Sequence, residues 1–224
     1  KNINVKAVID VRSYSESDII KKVESLGIKI YYNHAVTNTS GRLKIKSVTI
    51  NAVDDSIEKI IDNPLKIKCD FLCVSGGWTP TVHLFTQSRG KLIYRDNDGA
   101  FIPAQSFQDT VSIGSCNGTF SLTEILNETF IKIKDALKSF DNNTEINQKY
   151  KSKPLKNSQH KHAWLIPSSK HLGKTKMFID LQNDVTAKDI KIALSEGFQS
   201  IEHVKRYTTT GMATDQGKTS NINA

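Results

Sequence analysis

The last part of the chain, residues 178–220, constrains the fold most strongly. It contains two short helical patterns, and each is followed by a glycine at which a helix commonly ends, Gly197 and Gly211. Thr186 and Asp189 have the spacing of a capping box at the start of the first helix. The polar run that follows the second helix, GMATDQGKTS, is too specific for an ordinary connecting loop. The tail is therefore predicted to be a small helical unit.

The start of the chain predicts an α/β fold. Val5–Val11 is a short run rich in β-branched residues, which is typical of a buried strand. Either Ser13 or Ser15 can cap the helix that follows, since each has an acid three residues later. That helix runs to Leu26, and Ile28–Tyr32 predicts the next strand. A strand, a helix and a strand in this order form the β-α-β unit of doubly wound sheets.

Two glycine-containing turns follow predicted strands further along the chain. Cys69–Ser75 is apolar enough for a buried strand and leads into Gly76 and Gly77. Glycine has no Cβ, so a ligand or another strand can approach the backbone closely there. The second strand, Val111–Gly114, opens into a small-residue turn and a helix from about Leu122. An anion site at the helix N-terminus and a plain connecting turn both fit this second pattern.

Antiparallel pairing is predicted in two places. Leu43–Val53 alternates between apolar and polar residues, which indicates a half-exposed strand of an antiparallel sheet. The dipeptide Asp98-Gly99 stands between two apolar runs and is a hairpin signal.

The net charge of +8 is concentrated in one segment, since residues 149–176 hold eight lysines and no acidic residue. Nucleic-acid binding is disfavoured because this segment has no arginine interleaved with the lysines. His160, His162 and His171 lie in or beside it without an acidic or cysteine partner nearby, so solvated histidines are favoured over a metal site.

The chain has the character of a cytoplasmic protein. No apolar run approaches the ~20 residues of a membrane span, and the polar N-terminus, KNINVKAVIDV, does not fit a signal peptide. The three cysteines do not make a disulfide framework.

Three segments together resemble the alpha subunit of heterotetrameric sarcosine oxidase. They are CDFLCVSGGWTPTVHLFTQSRGKL, then VSIGSCNGTFSL, then DLQNDVTAKDI with EGFQSIEHVKRYTTTGMATDQGKTSN. The resemblance covers essentially the whole chain, and the tail is its most specific part. It implies an internal fragment, because such subunits begin with a glycine-rich dinucleotide fingerprint and end in a folate-binding domain.

The fold that this resemblance implies is an α/β, two-dinucleotide-domain flavoprotein-type fold followed by a small helical domain. Residues 1–66 are expected to end the second dinucleotide-type lobe, and residues 67–140 to return to the first, NAD-binding lobe. A basic linker, residues 141–176, then leads to the tail domain, residues 177–224.

The resemblance places a tightly held NAD in the first lobe. Its candidate binding residues lie in the crossing strand and in the closing turn before the long helix: Gly76, Gly77, Trp78, Thr79, Gly114, Ser115 and Phe120. Related flavoprotein reductases carry an acid after the glycine of the closing turn, where it holds the polyol of FAD. Ser115 stands there in this chain, which argues against an FAD bound in the usual way.

The tail resembles the small [2Fe–2S] domain of bacterioferritin-associated ferredoxins. The positions that match its four cysteines hold other residues here: Asp180, Gln182, Asp215 and Ser220. Carboxylate, amide and hydroxyl groups are poor replacements for four thiolates. The helical scaffold is therefore expected without the cluster, and no metal ligand is expected in the chain.

By the same resemblance, the complete enzyme oxidises sarcosine to glycine with production of hydrogen peroxide, and it can pass the one-carbon unit to tetrahydrofolate. FAD is expected in the beta subunit, FMN near the alpha–beta interface, and tetrahydrofolate in a domain downstream of this chain. Gamma and delta subunits complete the complex. No catalytic residue is expected in the chain itself.

Charged and hydroxyl side chains cluster near the vacated cluster positions and are candidate contacts to the FMN phosphate. They are Lys205, Arg206, Thr208, Lys218, Thr219 and Ser220. A solvated helix face with ordinary caps explains the same residues equally well.

Two further functions remain open at this point. The first is a related alpha subunit that acts on another amine, such as an opine or proline dehydrogenase. Such subunits usually keep the tail cysteines, so Asp180 and Asp215 disfavour this reading. The second is a non-catalytic interaction module, made of a dinucleotide-lobe remnant and a basic arm.

Overall fold

The β-α-β unit predicted at the start of the chain is present in the computed structural model. Strands β1 (Ala7–Asp10) and β2 (Lys29–Tyr32) pair in parallel, with Ala7 opposite Lys29. Helix α1 (Asp18–Ser25) connects the two strands. The α/β class is therefore confirmed in this region, because parallel neighbours need such a crossover.

The structure describes residues 3–138, 140, 152 and 161–224. By the density of its contacts the chain divides into two compact units. The first combines Lys1–Leu72 with Ala163–Ala224, and the second is Cys73–His162. Most of the predicted basic linker, including His160, lies outside the described residues.

Helix α1 begins later than predicted. Its N-cap is Ser17, whose hydroxyl accepts the backbone N–H of Ile20 at 3.3 Å, so the caps predicted at Ser13 and Ser15 are wrong. Tyr14 packs edge-on against the ring of Tyr32 at 5.3 Å between centroids. This contact with β2 accompanies an irregular backbone before Ser17, and the spacing of serines and acids could not reveal it.

The first unit also contains a three-stranded antiparallel sheet. Its order is β3 (His34–Gly41), β4 (Ile45–Ala52) and β5 (Leu65–Lys68), which confirms the antiparallel pairing predicted for this region. Ile50 of the central strand is fully enclosed. The main buried cluster consists of Ala35, Val53 and Ile57, with Val11, Ala163 and Ile166 packed against it. Burial of these apolar side chains is the main stabilising term for the unit.

The second unit contains a hairpin and a long helix. Strands β6 (Lys91–Arg95) and β7 (Ala100–Gln105) form the predicted hairpin, and Gly99 takes the left-handed conformation at its tip, with φ of 57°. Helix α2 (His83–Gln87) precedes the hairpin and helix α3 (Leu122–Lys138) follows it. None of the described helices is long and apolar enough to cross a membrane.

Two of the predicted strands are wrong. Neither Cys69–Ser75 nor Val111–Gly114 is a strand in the structure. In the first segment, the side chains of Phe71 and Val74 are 77% and 81% exposed. Apolar composition favours a strand, but a strand forms only where another segment offers matching backbone groups. No described segment pairs with residues 70–75.

The tail has the predicted two helices. A short antiparallel pair, β8 (Phe178–Asp180) and β9 (Val185–Thr186), precedes α4 (Ala187–Ser195) and α5 (Ile201–Thr208).

Local patterns predicted the start of the helical pair correctly but misplaced its end. The capping box is confirmed, because the Asp189 carboxylate accepts the Thr186 N–H at 2.8 Å and its hydroxyl at 2.7 Å. The end of α5 was predicted at Gly211, but Thr209 takes the left-handed position, with φ of 64°. The side chain of Asn183 donates to the Thr209 carbonyl at 2.9 Å, a tertiary contact that supports this position.

Candidate cofactor-binding sites

The closing turn before α3 is a single 3-10 turn, Gly114–Asn117. Gly114 and Gly118, at its two ends, have φ angles of 70° and 76°, in the left-handed region that favours glycine. Gly114 is buried, whereas Ser115 is exposed. The first N–H groups of α3 follow directly, and a helix leaves such groups without intrahelical acceptors. The turn therefore places Ser115 close to the N-terminus of α3.

The carboxylate of Glu128, in α3, is hydrogen-bonded to this turn. Glu128 accepts the Gly114 N–H at 3.0 Å and the side-chain N–H of Asn117 at 2.6 Å. Burial of Glu128 opposes its ionisation, but hydrogen bonds from Gly114, Asn117 and Thr119 outweigh it and lower the pKa of Glu128. Sequence reasoning missed this residue, because an acid in the middle of a helix carries no local signal of a tertiary partner.

The hairpin holds the other end of the turn. Arg95 donates to the Gly118 carbonyl at 3.2 Å and pairs with Asp98. A Cβ on Gly118 would lie 2.6 Å from Nη2 of Arg95, so a side chain there would displace the arginine head as well as strain the backbone at a φ of 76°. The closing turn is thus fixed at one end by an anion and at the other by a cation.

The other predicted NAD residues lie in an exposed segment. Gly76, Gly77, Trp78 and Thr79 are all exposed, and Trp78 is 85% exposed. A Cβ placed on either glycine would meet no atom within 4 Å, so the backbone is open to close approach. Among the described residues no hydrogen bond joins this segment to the closing turn. Phe120, after the turn, is 40% exposed.

In the tail, Asp180 occupies the interior. Its side chain is 2% exposed, and its carboxylate accepts backbone N–H groups from Gln182 at 2.9 Å, Asn183 at 3.0 Å and Gly211 at 2.9 Å. The Gly211 bond is the main cause of a lowered pKa of Asp180, against the effects of burial and of the nearby Asp215 charge. This carboxylate ties the β8–β9 turn to the loop that follows α5.

Asp215 organises the final loop in a similar way. Its carboxylate accepts the N–H of Gly217 at 3.1 Å and both the N–H and the hydroxyl of Thr219, at 3.2 Å and 2.6 Å. These bonds, led by the Thr219 hydroxyl, lower the pKa of Asp215. Ser220 is fully buried, and its hydroxyl has no hydrogen-bond partner.

The predicted FMN contacts differ in what they can offer a ligand. Arg206 and Lys218 are exposed and Lys205 is half-buried. The Thr208 hydroxyl bonds to the Val204 carbonyl at 2.7 Å and to the Thr210 hydroxyl at 2.9 Å. The hydroxyl of Thr219 is engaged by Asp215, and Ser220 is buried, so charge rather than hydroxyl groups reaches the surface here.

Comparison with known proteins shows what the chain is similar to. Residues 174–224 match the family described as the sarcosine oxidase A3 domain. Over 98% of its length the chain is 30% identical to sarcosine oxidase subunit alpha of Corynebacterium sp. (strain U-96) and 29% identical to that of strain P-1. The subunit of Rhizobium meliloti (strain 1021) is 34% identical over 70% of the chain.

The chain is homologous to a segment of the sarcosine oxidase alpha subunit. This confirms the resemblance on which the sequence interpretation depends. The chain spans only 23% of the length of each Corynebacterium subunit and 16% of the Rhizobium subunit. The relatives are named as subunits, so they belong to multi-subunit proteins, and they are oxidoreductases by name.

A solved structure supports the fold. The crystal structure of L-proline dehydrogenase from P. horikoshii matches 98% of this chain and 43% of its own, with a TM-score of 0.60 and 21% identity. At that identity the match shows the fold alone. It supports the mixed α/β fold of the chain.

A cavity in the first unit is lined by residues that were not predicted as site residues. Its volume is about 240 Å³, and it is lined mainly by the turn at Leu172–Lys174 and by one face of α4, including Lys188 and Lys191. Among the described residues no group of three or more His, Cys, Asp or Glu side chains could hold a metal ion.

Proposed function

We propose that the chain is part of the alpha subunit of a sarcosine oxidase, which oxidises sarcosine to glycine with production of hydrogen peroxide and transfers the one-carbon unit to tetrahydrofolate. The observation that carries this proposal is the similarity to named sarcosine oxidase alpha subunits over 98% of the chain. The role of the segment is to bind NAD and to shape a subunit and flavin interface, and it contains no catalytic residue.

The NAD site is assigned to the second unit. Two left-handed glycines, at 114 and 118, bring the backbone to the N-terminus of α3, where the helix dipole favours an anion. The open backbone at Gly76 and Gly77 gives a second point of close approach. Ser115 in place of an acid favours NAD over an FAD bound through its polyol.

The tail is assigned to the interface rather than to electron transfer. It is a ferredoxin-like scaffold in which Asp180 and Asp215 hold the backbone N–H groups of the former cluster loops. Lys205, Arg206 and Lys218 provide positive charge for the phosphate of an FMN at the alpha–beta interface. When bound, this flavin supplies the step that passes electrons to oxygen.

The remaining parts of the enzyme lie outside this chain. A beta subunit carries the FAD and the amine-oxidising site, a downstream folate domain transfers the one-carbon unit to tetrahydrofolate, and gamma and delta subunits complete a cytoplasmic heterotetramer. Neither nucleic acid nor a membrane is a partner. The carboxylates at 180 and 215 favour this assignment over an amine dehydrogenase that retains the tail cluster.

The nucleotide released on denaturing the full-length protein tests the NAD assignment. Chromatography of the supernatant is expected to show NAD in an amount close to one per alpha subunit. Release of FAD from the isolated alpha subunit would contradict the interpretation of Ser115. Absence of any nucleotide, together with failure to bind a beta subunit, would favour a non-catalytic interaction module.

A further inference from the structure

Glu128 lies in the middle of α3 and is the only acid of that helix that touches the closing turn. One oxygen accepts the buried Gly114 N–H and the other accepts the Asn117 amide. The Thr119 side chain also helps to lower the pKa of Glu128. Only an ionised carboxylate can accept from several donors with both of its oxygens at once.

Without this carboxylate the Gly114 end of the turn keeps only the short-range bonds of the turn itself. Gly118 donates to Ser115 at 3.2 Å and Thr119 donates to Gly114 at 3.1 Å, both within the turn itself. Arg95 holds the Gly118 end. Removal of Glu128 would leave the buried Gly114 N–H without its acceptor, which is costly in a protein interior.

The geometry points to Glu128 as a positioning residue for the dinucleotide. It fixes the position of the Gly114 end of the closing turn, so that Ser115 and the first N–H groups of α3 stay directed at the pyrophosphate of NAD. The inference rests on the proposed NAD function. Glu128 takes the Gly114 N–H away from any ligand, so the donors left for the pyrophosphate are those at the start of α3.

The test uses the full-length protein and measures the dissociation constant for NAD after the nucleotide has been removed and added back. Glu128→Ala is expected to weaken NAD binding by about tenfold or more, as is typical for loss of a charge-assisted bond that shapes a site. Asp135→Ala is the matched control. It removes an equal charge from the exposed far end of the same helix, where Asp135 pairs only with Lys138 at 3.1 Å, and it is expected to leave NAD binding unchanged.

A charge swap separates positioning from simple destabilisation. Asn117→Asp alone places two carboxylates together and is expected to weaken NAD binding. Asn117→Asp combined with Glu128→Gln exchanges the amide and the carboxylate, so the Gln oxygen can accept from Gly114 and its N–H₂ can donate to residue 117. The double variant is expected to recover binding to within about threefold of the wild type.

The outcomes distinguish the inference from the proposed function. Wild-type NAD affinity in a folded Glu128→Ala protein would overturn the inference. If that variant does not fold, failure of the double variant to bind better than Asn117→Asp overturns it instead. A wild-type protein that neither contains nor rebinds NAD would overturn the proposed NAD function itself, and the inference with it.

Discussion

The closing turn of the second unit and the tail contain the same kind of contact, with opposite consequences for anion binding. In both regions a carboxylate accepts backbone N–H groups, Glu128 at the turn and Asp180 in the tail. Glu128 takes a single backbone N–H, at the Gly114 end of the turn. Asp180 takes three N–H groups, and its side chain is buried.

This difference indicates which of the two regions can offer backbone N–H groups to an anionic ligand. A nest of N–H groups binds an external anion only while no internal one occupies it. Asp180 and Asp215 are internal anions in the tail, so that loop is closed to a ligand and only its exposed lysine and arginine side chains can serve one. In the closing turn the N–H groups of Gly114, Gly118 and Thr119 are bonded within the protein, so an anion there depends on the N-terminus of α3.

The test with the largest expected effect removes the internal anion of the tail, the Asp180 carboxylate. Asp180→Ala leaves three N–H groups without their acceptor and is expected to lower the free energy of unfolding by about 2–3 kcal/mol. Urea unfolding of the full-length protein, monitored by a probe in the tail, measures it. Glu202→Ala, at an exposed acid in the first turn of α5, is the control and is expected to have a small effect. Equal stability of wild type and Asp180→Ala would show that the carboxylate does not organise the loop.

Acid titration of the tail carboxylates tests the same difference, and its expected effect on stability is smaller. Folding lowers the pKa of Asp180 and of Asp215, so the unfolded chain binds these protons more readily. The stability that they add is therefore complete above about pH 4, near the unfolded pKa, and is lost as pH falls through the folded pKa values. Thermal unfolding between about pH 6 and pH 3 should show this loss.

The control for the titration is Asp180→Asn, which keeps the shape of the side chain and removes one titrating group. Its unfolding temperature is expected to start lower and to fall less steeply with acid than that of the wild type. A slope equal to the wild-type slope would mean that Asp180 is not the group responsible.

The smallest expected effect concerns the surface of the tail. Arg206→Ala and Lys218→Ala are each expected to lower FMN retention in the assembled complex by a few-fold, about 0.5–1 kcal/mol for an exposed charge. Lys188→Ala, on α4, removes the same charge from another face and should leave FMN content unchanged. Full retention in both variants would contradict the assignment of FMN to this surface.

Much of the local structure could be predicted from short patterns. The Thr186–Asp189 capping box and the hairpin at Asp98-Gly99 depend on residues within a few positions of each other, and both are present. The strand predicted at Cys69–Ser75 is absent because strand formation depends on a neighbouring segment and not on composition alone.

The residues of the candidate site also divide into those that local sequence patterns reveal and those that they do not. The glycine positions of the closing turn were visible in the sequence, since only glycine tolerates their φ angles without strain. Glu128 and Arg95 were not, because each acts on a turn 14 or 23 residues away. A contact over that distance is set by the docking of a helix or a hairpin, which no local pattern records.

The sequence by itself determined the resemblance to sarcosine oxidase alpha subunits, the α/β character of the first residues and the polar side chains at tail positions 180, 182, 215 and 220. These follow from residue identity and short-range periodicity. Only the tertiary structure decided what those side chains do. It buried Asp180 against three N–H groups, left Ser220 enclosed without a partner, and placed Glu128 under the closing turn. Hydrogen bonds between distant segments exist only after packing has brought those segments together.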